Sequence, residues 1–457
     1  MPNLLSRGLF NLFFGTRRKP LEKLPGPQPG VLGTIGDFLG SQPWQVCARY
    51  GREYGGVTLI WLGGSPGLVL NDPTLIEQVL NSRRLEFEKG GIADQIRPSV
   101  TNDTSFIAKQ SEDWADKRRW DPLEQPWAED WLAAQLGPMQ AAIAESVEAL
   151  RGGAPLDLTP TLRRLTFDTF SVALFGEKLP SSMYDDFMLL AKGADARIQA
   201  KLPLRFVSQP KGFEEAKARF YGNFLERVSA ARRSPKPQAQ DLLSRTLRER
   251  PDTNDQVLAH YMGGFYFGGA FSSSTTLVGA FHQLQKYPEA EARLADEAAT
   301  LAQAGLTLER LRGAHWSEAV AYEAMRLLPA VRVFTRHPVT DVALAGVTLP
   351  AGSMVMISNQ HLHRDPTHWP NPDAFDPSRW LNGGVARDPL GSGYFFPFGR
   401  GPRECVGGAF AVAYLQTALL TITARAKFHV DSTAPFEEGF FFGVVLPKGV
   451  TAKLVAR

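Results

Sequence analysis

The amino-acid sequence predicts a mainly helical globular protein with a minor β region. Three observations support this fold class. Hydrophobic residues make up 44% of the 457 residues and charged residues 21%, which is typical of a protein with a large core. Residues 114–330 follow a mostly helical pattern. Short alternating segments typical of strands are found near residues 57–72 and 331–358.

The net charge and the number of cysteines limit the classes of protein to which this chain could belong. The net charge is +3, and the chain has no long block of like charge, so we expect no nucleic-acid partner. Cys47 and Cys405 are the two cysteines, too few for a disulfide framework. A reducing, cytoplasmic location fits this usage best.

Residues 1–23 form an apolar and basic segment ahead of a single catalytic domain that we predict for residues 24–457. The apolar part, MPNLLSRGLFNLFF, is too short to span a bilayer and has no secretory cleavage site. Its apolar residues fall on one helical face: Leu5, Leu9, Leu12 and Phe13. Basic residues follow at 17–19, so the segment is either a peripheral membrane anchor or a first helix that packs on its own domain.

Local signals place the elements along the chain. The proline-rich LPGPQPG at 24–30 leads into the folded body, and VTLIWL and GLVLND at 57–72 predict a β-hairpin. Thr159 is the predicted N-cap of a helix with Pro160 at its first position. An Ala- and Glu-rich stretch at 289–303 predicts another helix, and a last long helix starts near Gly407.

The stretch FFPFGRGPRECVGGAF at 395–410 contains Cys405 just before this last helix. Helix N-termini, main-chain N–H groups and nearby cations all lower the pKa of a thiol, and Arg400 and Arg403 supply charge here. The glycines let the backbone turn and approach a flat ligand closely. These features favour a metal-bound thiolate; the alternative is a buried structural cysteine in a glycine-rich loop.

The spacing of five residues in this stretch resembles the haem-binding loop of the cytochrome P450 family: Phe398, Gly401, Arg403, Cys405 and Gly407. The resemblance implies that the Cys405 thiolate ligates the iron of haem b. It also implies the family's fold, a triangular helical prism around haem, from about residue 24 onward.

Two further segments resemble the family's structural ion-pair network. Glu323 and Arg326 match its ExxR pair, and the spacing i, i+3 puts both side chains on one helix face. Arg379 in FDPSRW matches the arginine that completes a Glu–Arg–Arg network. Without the third partner, the first two would form an ordinary surface ion pair.

Other matches imply contacts with haem itself. Trp114 and Arg118 match a helix whose side chains reach a haem propionate, and Arg336 matches a second propionate arginine. Arginine binds carboxylates with a forked, charge-assisted geometry. The resemblance therefore implies that these three residues bind haem together with Phe398, Arg403 and Gly407 of the cysteine loop.

His361, His363 and His368 suggest a competing zinc site. No cysteine or acid completes a tetrahedral set at a known spacing, and the segment resembles a family stretch that precedes FDPSRW. We therefore expect these histidines to pack in the core.

The distal helix departs from the family pattern. At Gly268–Ser273, Phe271 replaces the usual acid and Ser272 the usual threonine, which in the family deliver protons during oxygen activation. Ser272 is the candidate catalytic alcohol, although a shift of register would bring Ser274 or Thr275 nearer. Three explanations remain: Ser272 with ordered water and a substrate hydroxyl, direct use of hydrogen peroxide, or a reaction without oxygen activation.

The ordinary length of the cysteine loop favours a monooxygenase that inserts one oxygen atom of O2 into a lipophilic substrate. The alternatives are a haem-thiolate isomerase, dehydratase or peroxide-dependent oxygenase, and a non-catalytic haem-binding protein. Candidate pocket residues are Phe106, Ile107, Gly264, Phe267, Gly268, Phe271, Val331 and Val333. For each aromatic, core packing is the alternative. Arg332 either anchors a substrate carboxylate or faces away.

A monooxygenase needs two electrons. We expect no fused flavin or iron–sulfur centre, because the chain has neither spare cysteines nor extra length. The resemblance then implies a separate ferredoxin or flavodoxin-type donor with its reductase. Lys117, Arg119 and Arg400 are candidates for a basic docking face, with an ordinary solvated surface as the alternative.

Overall fold

A computed structural model describes residues 4–90, 92–97, 99, 114–152, 155–200, 207–381, 393–431 and 437–457. Across these residues helices predominate over four small sheets, which confirms the predicted fold class. No helix in the described ranges combines the length and the apolar character that crossing a membrane requires.

The helices in chain order are α1 (Leu4–Arg18), α2 (Ile35–Leu39), α3 (Pro43–Tyr54), α4 (Pro73–Glu77), α5 (Ile92–Ile96), α6 (Trp114–Trp120), α7 (Ala128–Leu150), α8 (Leu158–Phe175), α9 (Ser181–Ile198), α10 (Phe213–Arg233), α11 (Leu242–Glu249), α12 (Asp255–Lys286), α13 (Pro288–Ala304), α14 (Leu308–Gly313), α15 (His315–Leu327), α16 (Asn359–Leu362) and α17 (Gly408–Arg425). The strands are β1 (Val57–Leu62), β2 (Ser65–Leu70), β3 (Phe87–Glu88), β4 (Leu156–Asp157), β5 (Val333–Pro338), β6 (Val342–Leu344), β7 (Val347–Leu349), β8 (Met354–Ser358), β9 (Ala426–Val430), β10 (Glu437–Phe441), β11 (Val444–Lys448) and β12 (Thr451–Ala456).

The chain groups into two compact units, each assembled from three segments. The first unit comprises Met1–Gly91, Val331–Ala374 and Asp388–Cys405. The second unit comprises Ile92–Ala330, Phe375–Arg387 and Val406–Arg457. The single catalytic domain that the sequence predicts for residues 24–457 stays a prediction.

The first unit is organised by a five-stranded sheet in the order β1-β2-β8-β5-β3. β1 and β2 form the predicted antiparallel hairpin, with Leu62 opposite Ser65 at its tip, and β2 pairs parallel with β8. The second strand begins at Ser65, two residues earlier than GLVLND indicates. Apolar residues on the two faces of the sheet pack into two core clusters.

α1 packs on the hairpin of the same unit. Phe10 is fully buried, with its ring centroid 5.3 Å from that of Trp61. Leu12 and Phe13, however, remain 77% and 68% exposed. The helix therefore packs on its own unit through one edge and presents a second apolar edge outward.

The second unit is a helical assembly with the 32-residue α12 at its centre, packed against α8 and α10. The side chain of Asn254 caps α12 by accepting hydrogen bonds from the main-chain N–H groups of Gln256 and Val257. Two sheets, β4-β12-β9 and β10-β11, complete this unit.

The predicted N-cap of α8 is wrong by two residues. Asp157 caps the helix by accepting from the main-chain N–H of Thr159 at 3.0 Å. Thr159 lies inside the first turn, where its hydroxyl donates to the carbonyl oxygen of Pro447 at 2.6 Å. Because Asp157 ends strand β4 in an extended conformation, it already has the backbone geometry that a cap requires.

Candidate active site

The Cys405 loop is closed by main-chain hydrogen bonds within the first unit. The N–H of Cys405 donates to the carbonyl oxygen of Phe398 at 2.8 Å, and the N–H of Glu404 donates to that of Gly401 at 2.8 Å. Cys405 is exposed at the end of this loop, three positions before α17 begins along the chain. The loop therefore presents a thiol rather than burying it as a structural cysteine.

The loop can be this tight because of its glycines. Gly401 has φ +73°, a conformation that residues with a Cβ rarely adopt. A Cβ at this position would also overlap with the carbonyl oxygen of Leu80. Any larger residue would therefore force the loop away from the backbone at Leu80. Gly399 likewise has φ +76°. The glycine spacing in the sequence thus corresponds to a real steric requirement.

Two arginines in the same unit carry charge into a poorly solvated region. Burial, and then the positive charge of Arg403, lowers the pKa of the Arg336 guanidinium to about 10. Burial also lowers the pKa of Arg403 to about 10, although the Glu88 carboxylate partly opposes this. A buried cation and a half-buried cation that repel each other are stabilised by a bound anion. An exposed thiol with two such guanidiniums in one unit fits the iron and the carboxylates of haem.

The Glu323 network lies within the second unit and consists of Glu323, Arg326, Arg379, Trp380 and the main-chain N–H of Asp376. Arg326 donates to both carboxylate oxygens of Glu323 at 2.8 Å, and Arg379 donates to one of them at 3.0 Å. The side chains of Glu323 and Arg326 are fully buried and that of Arg379 is 10% exposed. The three residues named from the sequence therefore form one buried ion-pair network.

Two further hydrogen-bond donors to Glu323 were not identified from the sequence. The indole N–H of Trp380 donates to Glu323 at 2.9 Å, and the main-chain N–H of Asp376 does so at 2.9 Å. With Arg326 and Arg379, Glu323 accepts five hydrogen bonds from four residues, which compensates the cost of burying its charge. Trp380 directly follows Arg379 in the sequence, and this adjacency could have indicated that its indole also reaches Glu323.

Ser272 lies on the one partly open strip of α12. In the middle of this helix, four residues remain at least partly exposed to solvent, whereas their neighbours are buried. The four are Phe265, Gly268, Gly269 and Ser272. The Ser272 hydroxyl donates within its own helix to the carbonyl oxygens of Gly268 and Gly269, at 3.1 and 3.2 Å. A Cβ at Gly268 would meet nothing within 4 Å. The strip therefore combines free space with a hydroxyl.

The other candidate alcohols lie on the packed side of α12. Ser274 is 1% exposed and its hydroxyl donates to the carbonyl oxygen of Phe271 at 3.0 Å. Thr275 is 2% exposed and donates to the carbonyl oxygen of Val445 at 3.1 Å. Both side chains are almost fully buried, whereas Ser272 is partly exposed, which favours the register that puts Ser272 at the threonine position.

Phe271 and Phe267 belong to an aromatic cluster in the core of the second unit. The Phe271 ring centroid lies 5.0 Å from that of Phe187 and 5.4 Å from that of Phe442. Phe267 contacts the same two rings, at 5.0 and 5.3 Å. Core packing thus accounts for both rings, and their proposed contact with substrate stays a prediction.

The remaining pocket candidates belong to both units. Gly264 is buried in α12, while Val331 and Val333 are half-buried in the first unit. Phe106 and Ile107 lie outside the described residues. Arg332 is buried, and its guanidinium carbon lies 5.2 Å from the ring centroid of Trp44, so its side chain packs within the first unit.

Of the three histidines expected to pack in the core of the first unit, His363 does so, whereas His361 and His368 are only partly buried. His363 is fully buried and its Nε2 accepts from the main-chain N–H of Phe396 at 3.0 Å, while the ring of His368 stacks on that of Tyr394. Within the described ranges, no group of three or more histidine, cysteine or acidic side chains could hold a metal ion.

In the second unit, Trp114 is buried at the start of α6, and Arg118 forms an ion pair with Glu124. The residue that follows α6 was missed by the sequence analysis. Asp121 is 3% exposed and accepts hydrogen bonds from the Tyr261 hydroxyl of α12 at 2.7 Å and from the N–H of Leu123 at 3.1 Å. Asp121 therefore ties the end of α6 to α12.

Asp121→Asn is expected to change how stability depends on pH. Burial raises the pKa of Asp121 from 3.8 to about 6, while Tyr261, the N–H of Leu123 and Arg118 oppose the shift and Glu124 adds to it. The folded state therefore binds the proton more tightly, and the wild type loses up to about 3 kcal/mol of stability as pH rises through 4 to 6. Asparagine keeps an acceptor for Tyr261 but carries no charge.

Unfolding free energies measured from pH 4.5 to pH 8 should show the variant more stable at neutral pH, with the gap closing in acid. Asp116→Asn is the control, because Asp116 is an exposed acid of the preceding helix, α6, and its replacement is expected to give no such gap. A gap that widens in acid would contradict the assignment.

Comparison with known proteins gives the same family across nearly the whole chain. The family model for cytochrome P450 matches residues 23–451. The chain is 28% identical over 424 residues to cyclooctat-9-en-7-ol 5-monooxygenase of Streptomyces melanosporofaciens, which covers 89% of each chain. It is 26% identical to pentalenene oxygenase of Streptomyces avermitilis, over 94% of this chain and 97% of the other. Ferruginol synthase of Salvia miltiorrhiza is 24% identical over 96% and 95% of the two chains. This chain belongs to the cytochrome P450 family of haem-thiolate monooxygenases.

Proposed function

We propose that this protein inserts one oxygen atom of O2 into a lipophilic substrate, using electrons from a separate ferredoxin or flavodoxin-type donor and its reductase. The observation that carries the proposal is the Cys405 loop. It presents an exposed cysteine, and the same unit holds two arginines whose positive charges are poorly solvated. A thiolate ligand and carboxylate-binding cations are the protein groups that haem requires.

Each proposed haem contact has a distinct task. Cys405 would supply the thiolate to the iron, and the bound haem would supply the chemistry of oxygen activation. Arg336 and Arg403 would pair with propionate carboxylates. Trp114 and Arg118 of the second unit are proposed as further propionate partners. Phe398 and Gly407 would shape the loop around the ligand.

Ser272 is the proposed catalytic alcohol. Its place on the open strip of α12 supports this role, since a hydroxyl there can hold a water and pass a proton on. Phe271 offers no proton at the position of the usual acid, so water ordered by Ser272, or a substrate hydroxyl, would have to complete the relay.

The relatives support a lipophilic substrate. One is named for oxygenation of cyclooctat-9-en-7-ol and another for pentalenene, an unsaturated alcohol and an alkene by their names. A molecule of this kind would contact the residues proposed for the pocket, with Gly268 providing space on α12. Fatty-acid, terpenoid and steroid-like molecules form the panel to screen.

The electron donor is proposed to bind a basic face. Lys117 and Arg119 lie on α6, and Arg400 lies in the cysteine loop of the first unit. Arg119 is largely exposed and forms an ion pair with Asp116, which reduces its contribution to such a face. We also propose that the protein is cytoplasmic and contacts a membrane peripherally through residues 1–23.

The test of the proposed function is the absorption spectrum of the purified protein, reduced and with carbon monoxide bound. A Soret band in the thiolate-ligated position is expected. A band in the position of histidine-ligated haem, or no haem at all, would overturn the proposal. Product formation that needs no reductant would instead identify an isomerase, a dehydratase or a peroxide-dependent oxygenase. Haem binding without turnover of any substrate would favour a non-catalytic haem protein.

Ser272→Ala is expected to uncouple electron use from oxygenation. Loss of the positioned hydroxyl should lower the product formed per reductant consumed by about tenfold or more, with hydrogen peroxide released instead. The measurement is the ratio of product, peroxide and reductant with a substrate found by spectral titration. Ser274→Ala removes a hydroxyl from the packed side of the same helix and should stay coupled. Equal coupling in all three proteins would point to proton delivery by the substrate.

A further inference from the structure

We propose that α1 and the loop at residues 31–32 form one surface that docks the protein on an anionic lipid membrane. This proposal rests on the peripheral membrane contact proposed above and gives it a structural basis. The surface, called here the N-terminal apolar surface, consists of Leu9, Leu12, Phe13, Val31 and Leu32.

α1 is held in place by its inner edge. Phe10 is fully buried against Trp61, and the Phe14 ring centroid lies 5.1 Å from that of Phe10. A Cβ at Gly64, in the tip of the β1–β2 hairpin, would overlap with the Phe14 ring. The helix is therefore fixed on the hairpin tip and does not need to leave it to expose its outer edge.

The outer edge is joined by a second chain segment. The main-chain N–H of Val31 donates to the hydroxyl of Ser6 in the first turns of α1 at 2.9 Å. The N–H of Gly63 in the hairpin tip donates to the carbonyl oxygen of Leu32 at 3.2 Å. Helix, loop and hairpin tip are thus connected by direct hydrogen bonds, and both the helix and the loop carry exposed apolar side chains.

Exposed apolar residues are concentrated here. Leu12, Phe13 and Leu32 are 77%, 68% and 64% exposed. Among the described residues, the five members of this surface are half of the ten exposed large hydrophobic side chains. Single exposed hydrophobics are ordinary on a protein surface, but a concentration of this kind marks a contact surface.

Charge identifies the occupant as an anionic membrane. Arg17 and Lys19 are exposed at the end of α1, and Lys23 follows, while the acid of this segment, Glu22, forms an ion pair with Arg18. Apolar side chains beside exposed cations are typical of helices that lie in a lipid interface. The same cations disfavour pairing of this surface with a second copy, because they would repel one another.

The test is cosedimentation of the full haem-loaded chain with phosphatidylcholine vesicles, with and without phosphatidylglycerol. Binding to the anionic vesicles that weakens at raised salt is expected. The double variant Leu12→Asn/Phe13→Asn should bind about tenfold or more weakly, since it loses two exposed apolar side chains. Leu85→Asn is the matched control, an exposed leucine of the same unit outside the surface, and it should bind like the wild type.

Arg17→Gln/Lys19→Gln should weaken binding to the anionic vesicles and remove its salt dependence. The proposal is overturned if the wild type does not cosediment, if the double variant binds like Leu85→Asn, or if phosphatidylglycerol makes no difference. A wild-type dimer that the double variant abolishes, with no vesicle binding, would make this surface a self-association face. The carbon monoxide spectrum is independent of all these outcomes, so the haem proposal is tested separately.

Discussion

Cys405→Ala protein is expected to lose the Soret band of thiolate-ligated haem completely when it is reduced and exposed to carbon monoxide. Alanine removes the sulfur and leaves the loop able to fold, because the main-chain hydrogen bond from residue 405 to Phe398 needs no side chain. Any haem that remains would be held by the proposed arginine contacts alone and would show a different spectrum.

Cys47→Ala is the matched control for this experiment. Cys47 is fully buried in α3, and burial raises the pKa of its thiol to about 12, so it is not a thiolate at neutral pH. Its replacement should leave the spectrum unchanged. An unaltered thiolate band in Cys405→Ala, or its loss in Cys47→Ala, would move the ligand assignment away from Cys405.

Glu323→Gln is expected to destabilise the protein by about 3–5 kcal/mol, because it leaves the buried charges of Arg326 and Arg379 uncompensated. The free energy of unfolding by denaturant gives the size of the effect, and the haem content after purification reports whether the site survives. Glutamine is close in size to glutamate, so the loss measures charge rather than a cavity.

The control is Glu318→Gln on the same helix, α15. Burial raises the pKa of Glu318, which means that its charge is poorly stabilised where it lies. Removing that charge should be neutral or slightly stabilising. If Glu323→Gln were as stable as Glu318→Gln, the Glu323 network would be no more than a weak ion pair.

Features set by neighbouring residues were predictable from the sequence. The β1–β2 hairpin follows from alternating apolar residues around a turn, and the Cys405 loop from glycines whose positive φ values the structure shows. The pair Glu323 and Arg326 was predicted from its resemblance to the family's ExxR pair, together with the i, i+3 spacing that puts both side chains on one helix face.

Features set by long-range packing were not predictable. Asp157 and Thr159 are both capable N-caps, and the choice depends on strand β4 and on a carbonyl group at Pro447. The hydrogen bond from Tyr261 to Asp121 joins residues 140 positions apart. The sequence likewise could not show which side of α12 Phe271 occupies, since the middle of this helix has apolar and small residues on all sides and no periodicity that distinguishes its faces.

The Glu323 network joins two parts of the chain that are 56 positions apart in the sequence. The chain leaves the second unit after α15 and returns to it at Phe375, having contributed residues 331–374 to the first unit. Glu323 lies just before this excursion and Arg379 just after it, so the network holds both ends of a long loop together. Closing such a loop costs conformational entropy, and the hydrogen bonds of the network offset that cost. Strands β5 and β8 lie within the excursion, and we expect loosening of the network to reduce amide protection in these two strands.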